Sequence, residues 1–296
     1  MFVHSARSTV WPLTPGSFTT PGSGGHAIRL SLVMPSFNHG TFIDAAIRSV
    51  LLQAHPGVEL IVVDAESTDG TRAVLEEYRP WLGGVVVEPD QGPADALNKG
   101  FAMARGDILG FLNADDFLLP GSVDAVIRWF DDHRGTDVVS GHGYMARPSG
   151  ELGPSLVSDA WSRERFVRGA CILVQASTFF RRTAFDRAGG FPVNPHKTWD
   201  MELWAAMAES GAVFGTMDAS LAAHRMHLGS ITGNPLFRRV RVADARLVRE
   251  RILGREETPA DRVLALWHRL RKFSEHPART LSQRVFCYVT LGRWSL

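Results

Sequence analysis

Two adjacent aspartates end an apolar run of the chain, in the segment Asn113-Ala114-Asp115-Asp116. Neighbouring carboxylates repel each other unless a cation or a helix N-terminus offsets their charge. Mg²⁺ and Mn²⁺ take one or two protein carboxylates and complete their shells with water and phosphate oxygens, which suits a nucleoside diphosphate. The same segment also fits an Asx-turn, in which Asn113 and Asp115 bond local backbone amides. The residues alone leave both interpretations open.

Three more polar clusters follow apolar runs: Ser36-Phe37-Asn38, Asp64 to Asp69, and Asp90-Gln91-Gly92. The carboxyl ends of parallel strands meet at one edge of a sheet, and ligands of open α/β sheets bind outside that edge. We therefore expect one polar rim that collects these clusters and the aspartate pair.

The apolar runs alternate with helical patterns, which is typical of a parallel sheet covered by helices on both faces and joined by right-handed crossovers. The second half of the chain is less regular, and the pattern after Pro235 is helical. The predicted strands span 28–34, 58–63, 85–88, 107–112, 137–144, 175–181 and 213–217, and the predicted helices begin at 41, 71, 93 and 200.

Four segments occur in an order that is typical of one enzyme family: Met34–Asn38, Val62–Thr71, Glu88–Gly100 and Gly106–Asp116. Through them the stretch from Ser31 to Pro120 resembles the donor-binding half of glycosyltransferase family 2, and looser similarity continues to about residue 235. The resemblance implies an α/β fold of the GT-A (Rossmann-like) type. This is a mostly parallel sheet with helices on both faces, here with a C-terminal helical extension.

Three regions follow from the resemblance and from composition. Residues 1–26 are rich in Pro, Gly, Ser and Thr without periodicity, which indicates a flexible leader. Residues 27–235 are the expected GT-A domain, with a nucleotide-sugar-binding half over 27–120 and an acceptor half over 121–235. Residues 236–296 are the expected basic helical extension.

The resemblance also implies a donor site. In this family the turn after the first strand and the acid after the second bracket the nucleotide base and ribose. A carboxylate in that place accepts the imide N–H of uracil or thymine. A residue in the helix after the third strand would lie near the ribose or donor sugar, or belong to a polar helix edge. The positions that match are Pro35, Ser36, Asn38 and Asp64 for base and ribose, and Asp95 on the helix.

Many relatives carry Asp where this chain has Asn113. The resemblance therefore assigns the metal, Mn²⁺ or Mg²⁺, to Asp115 and Asp116, with Asn113 and Asp115 also beside the donor. Asn113 would bond the ribose or the backbone. His227 matches a late family segment and is either a structural histidine or a third metal ligand through a neutral imidazole.

The family takes its catalytic base from a carboxylate before a helix in the acceptor half, and Asp200 matches that position. Asp200 would remove the acceptor hydroxyl proton as the oxygen attacks C1 of the sugar in one in-line displacement. It also fits a helix N-cap, and Glu202 is the alternative base. Arg181 and Arg225 are candidate anion contacts or surface arginines.

The resemblance thus implies a metal-dependent, inverting glycosyltransferase of the hexosyltransferase type. Its donor is a nucleoside-diphosphate sugar and its acceptor a glycan or lipid-linked hydroxyl, in surface polysaccharide synthesis. A sugar nucleotidyltransferase is an alternative, although Ser36 to Gly40 is not the glycine-rich basic loop that holds a triphosphate. A non-catalytic nucleotide-sugar-binding module is the other, since Asn113 departs from the usual acid.

The charge is distributed unevenly although the whole chain carries only +1. Residues 236–296 hold 14 Lys/Arg against 6 Asp/Glu, a net +8, which leaves −7 for residues 1–235. The basic part lacks the interleaved aromatic residues of single-strand binders, so no nucleic-acid partner is expected. A solvated helical face is one interpretation, and peripheral contact with the inner face of a membrane is the other.

No apolar run approaches the roughly 18–20 residues of a membrane-spanning helix. Residues 1–25 contain no apolar core of a signal peptide, so we expect a cytoplasmic protein. Cys171 and Cys287 lie far apart with no metal-binding spacing, and buried thiols are expected.

Overall fold

The computed structural model describes residues 18–194, 198–275 and 277–291, and a mixed sheet organises this part of the chain. The strands are β1 (Leu30–Ser36), β2 (Val58–Asp64), β3 (Gly84–Val87), β4 (Ile108–Phe111), β5 (Phe117–Leu118), β6 (Val138–Ala146), β7 (Leu152–Leu156), β8 (Thr178–Arg181) and β9 (Phe214–Arg225). Their order in the sheet is β3-β2-β1-β4-β8-β6-β9-β5, with β7 paired to β6.

Helices follow most strands of the first half and close the chain in the second. They are α1 (Ile43–Leu51), α2 (Thr71–Tyr78), α3 (Pro93–Met103), α4 (Ser122–Asp132), α5 (Arg163–Val167), α6 (Arg182–Ala188), α7 (Trp199–Glu209), α8 (Pro235–Leu253), α9 (Pro259–Glu275) and α10 (Pro277–Leu291).

Strands β1 to β4 form the parallel half of the sheet, with β1 between β2 and β4 and β3 outside β2. Every residue of β1, β2 and β4 is buried. Their side chains alternate between two clusters: α1, α2 and α4 pack on one face, and α3 and α7 pack on the other. The predicted α/β fold with helices on both faces is therefore confirmed.

Strand β1 continues through Pro35 to Ser36, two residues beyond the predicted strand. Proline usually ends a central strand because it has no N–H to donate. Here the last residue pair between β1 and β4 is Val33 with Phe111. Pro35 faces β4 beyond that pair, so its missing N–H costs the sheet no hydrogen bond. This extra length carries Ser36 to the rim of the sheet.

The second half of the sheet is mixed, so the sheet as a whole is parallel mainly through its first four strands. Strand β8 is antiparallel to β4 and β6, β9 is parallel to β6, and β5 is antiparallel to β9. Sequence patterns missed β5, β7 and helices α4 to α6. They also ended β9 at residue 217, whereas pairing with β6 across register shifts extends it to Arg225. Such pairing overrides weak local strand propensity.

Phe18 is buried against the ring systems of Tyr78 and Trp81, with centroid distances of 6.1 and 5.3 Å. Packing of the fold therefore includes a residue that precedes the expected domain start at Ala27. The flexible leader predicted over 1–26 falls, for residues 1–17, outside the described residues.

The C-terminal helices pack on the domain in different ways. Helix α8 buries Val248 and Ile252 in the same cluster as α3 and α7. Helix α10 buries Phe286 and Cys287 against Met145 and Met226. Cys171 is also buried, as expected of both thiols. Within the described residues, no helix is both long and apolar enough to cross a membrane.

The close approach of α3 to β1 gives a stability test at Gly100. A Cβ built at this position would collide with the Val33 side chain, which is fully buried in β1. We expect Gly100→Ala to lower the free energy of unfolding by about 1–3 kcal/mol despite the better helix propensity of alanine. Urea unfolding followed by tryptophan fluorescence measures this. In the double variant Gly100→Ala/Val33→Ala, the loss of unfolding free energy should be smaller than the sum of the two single losses. A loss equal to that sum would contradict the collision between positions 100 and 33.

Candidate active site

The turn after β4 and the end of β9 meet at the rim of the sheet, although more than 100 residues separate them in the chain. Pairing of Phe117 with Ala223 aligns β5 with β9. This register brings Asp115 and Asp116 beside the segment His224 to His227. The two carboxylates thus lie against two imidazoles, and the Arg225 guanidinium bonds the Asp115 backbone.

Arg225 holds the acidic turn in place. Its backbone N–H donates to Oδ1 of Asp116 at 2.9 Å, and its Nε donates to the Asp115 carbonyl at 2.7 Å. Its guanidinium lies between the rings of Phe42 and Phe117, 4.9 and 5.2 Å from their centroids. Only 2% of Arg225 is exposed. It is therefore neither the surface arginine nor the ligand contact that the sequence suggests, but the buried cation that offsets the aspartate pair.

Asp115 and His227 form the closest acid–imidazole pair of the site. Nε2 of His227 lies 2.9 Å from Oδ2 of Asp115, and the His227 ring packs 4.6 Å from the Phe42 ring. Burial alone would raise the pKa of Asp115, but the hydrogen bond from His227 and the charges of His39 and His224 hold that pKa below its usual value. Asp115 is therefore ionised at neutral pH.

Asp116 has a different environment from Asp115. The sequence predicts it as a metal ligand, yet its side chain is fully buried and accepts hydrogen bonds at both oxygens. Oδ1 accepts from Arg225 and lies 3.1 Å from Nδ1 of His224, and Oδ2 lies 3.2 Å from Nδ2 of Asn113. Burial would lower the pKa of His224, but Asp116 raises it to about 9, so His224 is a cation. These contacts make Asp116 an anchor of the turn.

A divalent cation fits this corner through Asp115 and His227. One carboxylate and one imidazole converge within 2.9 Å, and both are ligands that Mn²⁺ accepts. Within the described part of the chain, no group of three or more His, Cys, Asp or Glu side chains could cage a metal. A two-ligand corner suits a cation whose remaining ligands come from phosphate and water.

Asn113 lies at the start of the same turn and lines a cavity beside it. Its Nδ2 donates to Oδ2 of Asp116 at 3.2 Å and to Oε1 of Gln175 at 3.0 Å. An aspartate at this position could not donate these bonds and would add a third carboxylate to the turn. These two hydrogen bonds explain why an amide suits this position, which the resemblance to the family did not reveal.

A cavity of about 1190 Å³ opens beside the turn. Drug-sized ligands occupy pockets of roughly 300–1,000 Å³, so this one exceeds the space that a single ligand of that size needs. The wall formed by the strand ends contains Pro35, Ser36, Asp90, Asn113 and Asp115. Oγ of Ser36 is buried and has no hydrogen-bond partner among the described residues. Because buried hydroxyls are nearly always bonded, Ser36 is suited to a ligand.

Three of the predicted donor residues are bonded within the protein and are not among the residues that line the cavity. Both oxygens of Asp64, which is fully buried, accept from Ser67 at 2.8 and 2.6 Å. Oδ1 of Asn38 accepts from the Thr68 amide at 2.8 Å. Asp95 accepts from the Gln91 amide at 3.1 Å and lies 3.3 Å from Lys99. Their expected contacts with base, ribose or sugar therefore have no support in this geometry.

Asp69 bonds the first residue of α2, although the N-cap of this helix is Gly70. Its Oδ1 accepts from the amide and hydroxyl of Thr71, and its Oδ2 accepts from the Gly40 amide at 2.8 Å. Burial would raise the pKa of Asp69, but these bonds lower it. Asp69 thus joins the loops after β1 and β2.

Asp200 also lines the cavity, from the first turn of α7. The N-cap of this helix is Thr198, so Asp200 is not the cap. Burial raises the pKa of the Asp200 carboxyl above its usual value, while nearby N–H groups, Arg241 and His224 act against that rise. A carboxylate with a raised pKa at a cavity wall has the properties of a general base.

The alternative Glu202 is buried, and its Oε2 accepts from Nδ2 of Asn194 at 2.9 Å. Arg181 lies away from the site: it donates to the Thr136 and Phe130 carbonyls and packs 4.9 Å from the Phe130 ring.

Sequence patterns missed cavity residues of the second half of the chain. Thr198 and Arg241 line the cavity, and Oγ1 of Thr198 and Nε of Arg241 are buried without a hydrogen-bond partner among the described residues. His224 lines it as well. The only signal in the sequence was the proximity of His224 to His227 and of Thr198 to Asp200.

Known proteins resemble this chain in sequence. The family model described as "Glycosyl transferase family 2" matches residues 31–185. An uncharacterized glycosyltransferase of Nostoc sp. is 29% identical over 215 residues, which are 68% of this chain and 65% of that protein, just under two thirds of its length. TuaG of Bacillus subtilis, whose name assigns it to teichuronic acid biosynthesis, is 26% identical over 69% of this chain and 82% of its own.

Two solved structures share the fold. Staphylococcus aureus TarS 1-349 in complex with UDP-GlcNAc superposes with a TM-score of 0.62 at 20% identity, over 83% of this chain and 73% of that one. The mannosyltransferase PcManGT of Pyrobaculum calidifontis, in complex with GDP-Man and Mn²⁺, has a TM-score of 0.54 at 18% identity over 94% of this chain and 89% of its own.

The buried position of Arg225 leads to a stability test. Removal of one partner from a buried ionic cluster typically costs about 3–5 kcal/mol, because the remaining charges lose their compensation. We expect Arg225→Met to lower the free energy of unfolding by about this amount. Urea unfolding of Arg225→Met and of Arg246→Met, which removes an exposed arginine, gives the comparison. Equal unfolding midpoints for the two variants would refute the role of Arg225.

Proposed function

Because the chain belongs to glycosyl transferase family 2, we propose that it transfers a sugar from a nucleoside-diphosphate sugar to a hydroxyl acceptor. The observation that carries the proposal is one cavity lined by Asp115 on its strand-end wall and by Asp200 on its helix wall. A donor held at the first wall and an acceptor at the second would meet between these carboxylates.

The donor occupies the wall at the ends of β1 and β4 in this proposal. Pro35 and Ser36 contact the nucleoside, and the unpaired Ser36 hydroxyl donates or accepts one hydrogen bond there. Asn113 lies beside the ribose and Asp115 beside the diphosphate. The UDP-GlcNAc and GDP-Man complexes of the two proteins with the same fold support a nucleotide-sugar donor.

Asp115 and His227 would hold Mn²⁺ or Mg²⁺. A bound divalent cation supplies Lewis-acid stabilisation of the negative charge on the departing diphosphate. The chain itself prepares the corner, since His224 and Arg225 bear positive charge beside Asp116 and leave Asp115 directed to the cavity. Asp116 contributes by fixing the turn.

Asp200 acts as the base. Its carboxylate accepts the proton of the acceptor hydroxyl while that oxygen forms a bond to C1 of the sugar. The bond from C1 to the diphosphate oxygen breaks in the same step, and the nucleoside diphosphate leaves from the opposite face. One displacement of this kind inverts the anomeric configuration. The raised pKa of Asp200 makes the carboxylate a better proton acceptor.

The acceptor class is a growing glycan or a lipid-linked sugar in surface polysaccharide synthesis. The similarity to TuaG supports this class. A non-catalytic nucleotide-sugar-binding module would not need a carboxylate with a raised pKa on the second wall, so Asp200 favours the enzyme. A sugar nucleotidyltransferase is disfavoured by membership in the family.

The metal corner predicts a specific loss of affinity. We expect Mn²⁺ to tighten binding of UDP, GDP or dTDP to the protein about tenfold or more, because the diphosphate completes the metal shell. Asp115→Asn and His227→Gln should remove this gain, and Asp124→Asn, an exposed carboxylate on α4, should retain it. Isothermal titration calorimetry with and without Mn²⁺ measures the effect. A gain that survives in both corner variants would refute the assignment.

The base assignment predicts a loss of rate without loss of binding. In a screen of UDP-, GDP- and dTDP-sugars, slow hydrolysis uses water in place of the acceptor. We expect Asp200→Asn to lower its kcat about 10²- to 10⁴-fold with nucleotide affinity unchanged, and Glu202→Gln to retain activity. Proton NMR of the fresh product should show the inverted anomer. Full activity of Asp200→Asn, or a retained anomer, would contradict the mechanism.

A further inference from the structure

Helix α8 presents a row of arginines to the cavity. Arg238, Arg241 and Arg249 recur at helical spacing and line it together with Arg239, and we refer to these four residues as the arginine face. Val248 and Ile252 lie about two and three helical turns after Arg241, on the same side of the helix, and are buried in the core. This side of α8 therefore faces the domain, and Arg241 occupies it where the helix borders the cavity.

Within the described residues, one of these arginines is paired with a carboxylate and three are not. Arg249 pairs with Glu257. No described carboxylate forms an ion pair with Arg238, Arg239 or Arg241. Among the described residues, the Nε atom of Arg241 is buried without a hydrogen-bond partner, and its Nη2 donates to the Thr232 carbonyl at 3.5 Å. Buried guanidinium donors that lack partners are costly, and a bound anion would satisfy them.

The arginine face belongs to the wall of Asp200. Arg241 is the principal cation that acts on the pKa of Asp200, and Asp200 in turn acts on Arg241, which is partly buried. The pKa of Asp115 is instead affected mainly by His227, His39 and His224, and His224 also acts on Asp200. An anion at the arginine face would therefore lie beside the base, where the acceptor must bind.

We propose that the arginine face binds a phosphate group carried by the acceptor, so that the acceptor is a phosphate-bearing molecule. This inference rests on the proposed function, since it names the chemical class of the second substrate. Arginine matches phosphate because its planar fork donates two parallel hydrogen bonds and keeps its charge. The phosphate binds at Arg238, Arg239 and Arg241 and brings the acceptor hydroxyl to Asp200. The volume of about 1190 Å³ accommodates donor and acceptor together.

The phosphate could belong to a lipid phosphate or to a sugar phosphate, and matched probes separate these sources. The protein is first saturated with Mn²⁺ and with whichever of UDP, GDP and dTDP binds best, which fills the diphosphate position. Calorimetric titrations then compare geranyl phosphate with geraniol, and glucose 6-phosphate with glucose. We expect at least one phosphate probe to bind about tenfold or more tightly than its neutral counterpart. The preferred pair identifies the source.

Two variants and one control locate the binding. Arg241→Gln and Arg238→Gln should each weaken the phosphate probe about fivefold or more and leave nucleotide affinity unchanged. Arg238 lies at the exposed mouth of the cavity, so its variant keeps the test valid if Arg241→Gln unfolds. Arg246→Gln makes the same change of net charge on the same helix, but Arg246 pairs with Glu250 and does not line the cavity. It should bind the probe as the wild type does.

The possible outcomes are distinct. Equal affinity for phosphate and neutral probes, or an equal loss in Arg246→Gln, would overturn the acceptor proposal and leave the donor site intact. A loss of nucleotide affinity in Arg238→Gln and Arg241→Gln would show that the arginine face binds the donor diphosphate and would also overturn it. A wild-type protein that binds none of the nucleotides would refute the proposed function, and the acceptor proposal with it.

Discussion

Two adjacent carboxylates at the end of β4 are tolerable because a buried guanidinium from β9 lies against them. Arg225 bonds both the Asp116 side chain and the Asp115 backbone, and rings of Phe42 and Phe117 enclose it. The cation belongs to a different half of the chain from the acids. This charge compensation therefore couples the parallel half of the sheet to its mixed half, and it sets where β9 must end.

Because of this charge compensation, the two aspartates have different roles. Asp116 is buried and bonded to Arg225, with His224 and Asn113 in contact, so it fixes the turn. Asp115, one residue earlier, points to the cavity and lies beside His227. The same division recurs along the rim: Ser36 lines the cavity, whereas Asp64 bonds the loop that follows it and Asn38 bonds the neighbouring loop. Rigid loops of this kind can hold a ligand in one orientation with little loss of entropy.

The second wall of the cavity comes from two helices of the second half of the chain. Helix α7 supplies Asp200 from its first turn, and α8 supplies the arginine face. Farther along α8, Val248 and Ile252 pack in the core. The positive charge of the C-terminal region, which by sequence suggests a solvated face or a membrane contact, is thus partly directed to the cavity. Because the arginine face lies beside Asp200, its positive charge can act in substrate binding.

The sequence by itself determined the parallel strands β1 to β4, their helices and the polar rim, because hydrophobic periodicity is a local property and parallel strands align their ends. It also identified Asp115 and Asp200 as cavity residues. Only the tertiary structure decided that Asp116, Asp64 and Asn38 are bonded within the protein, that β9 runs to Arg225, and that α8 lines the cavity. The bonds of Asp64 lie within one loop, but the other features depend on contacts between residues 30 to more than 100 positions apart, and no local pattern encodes such contacts.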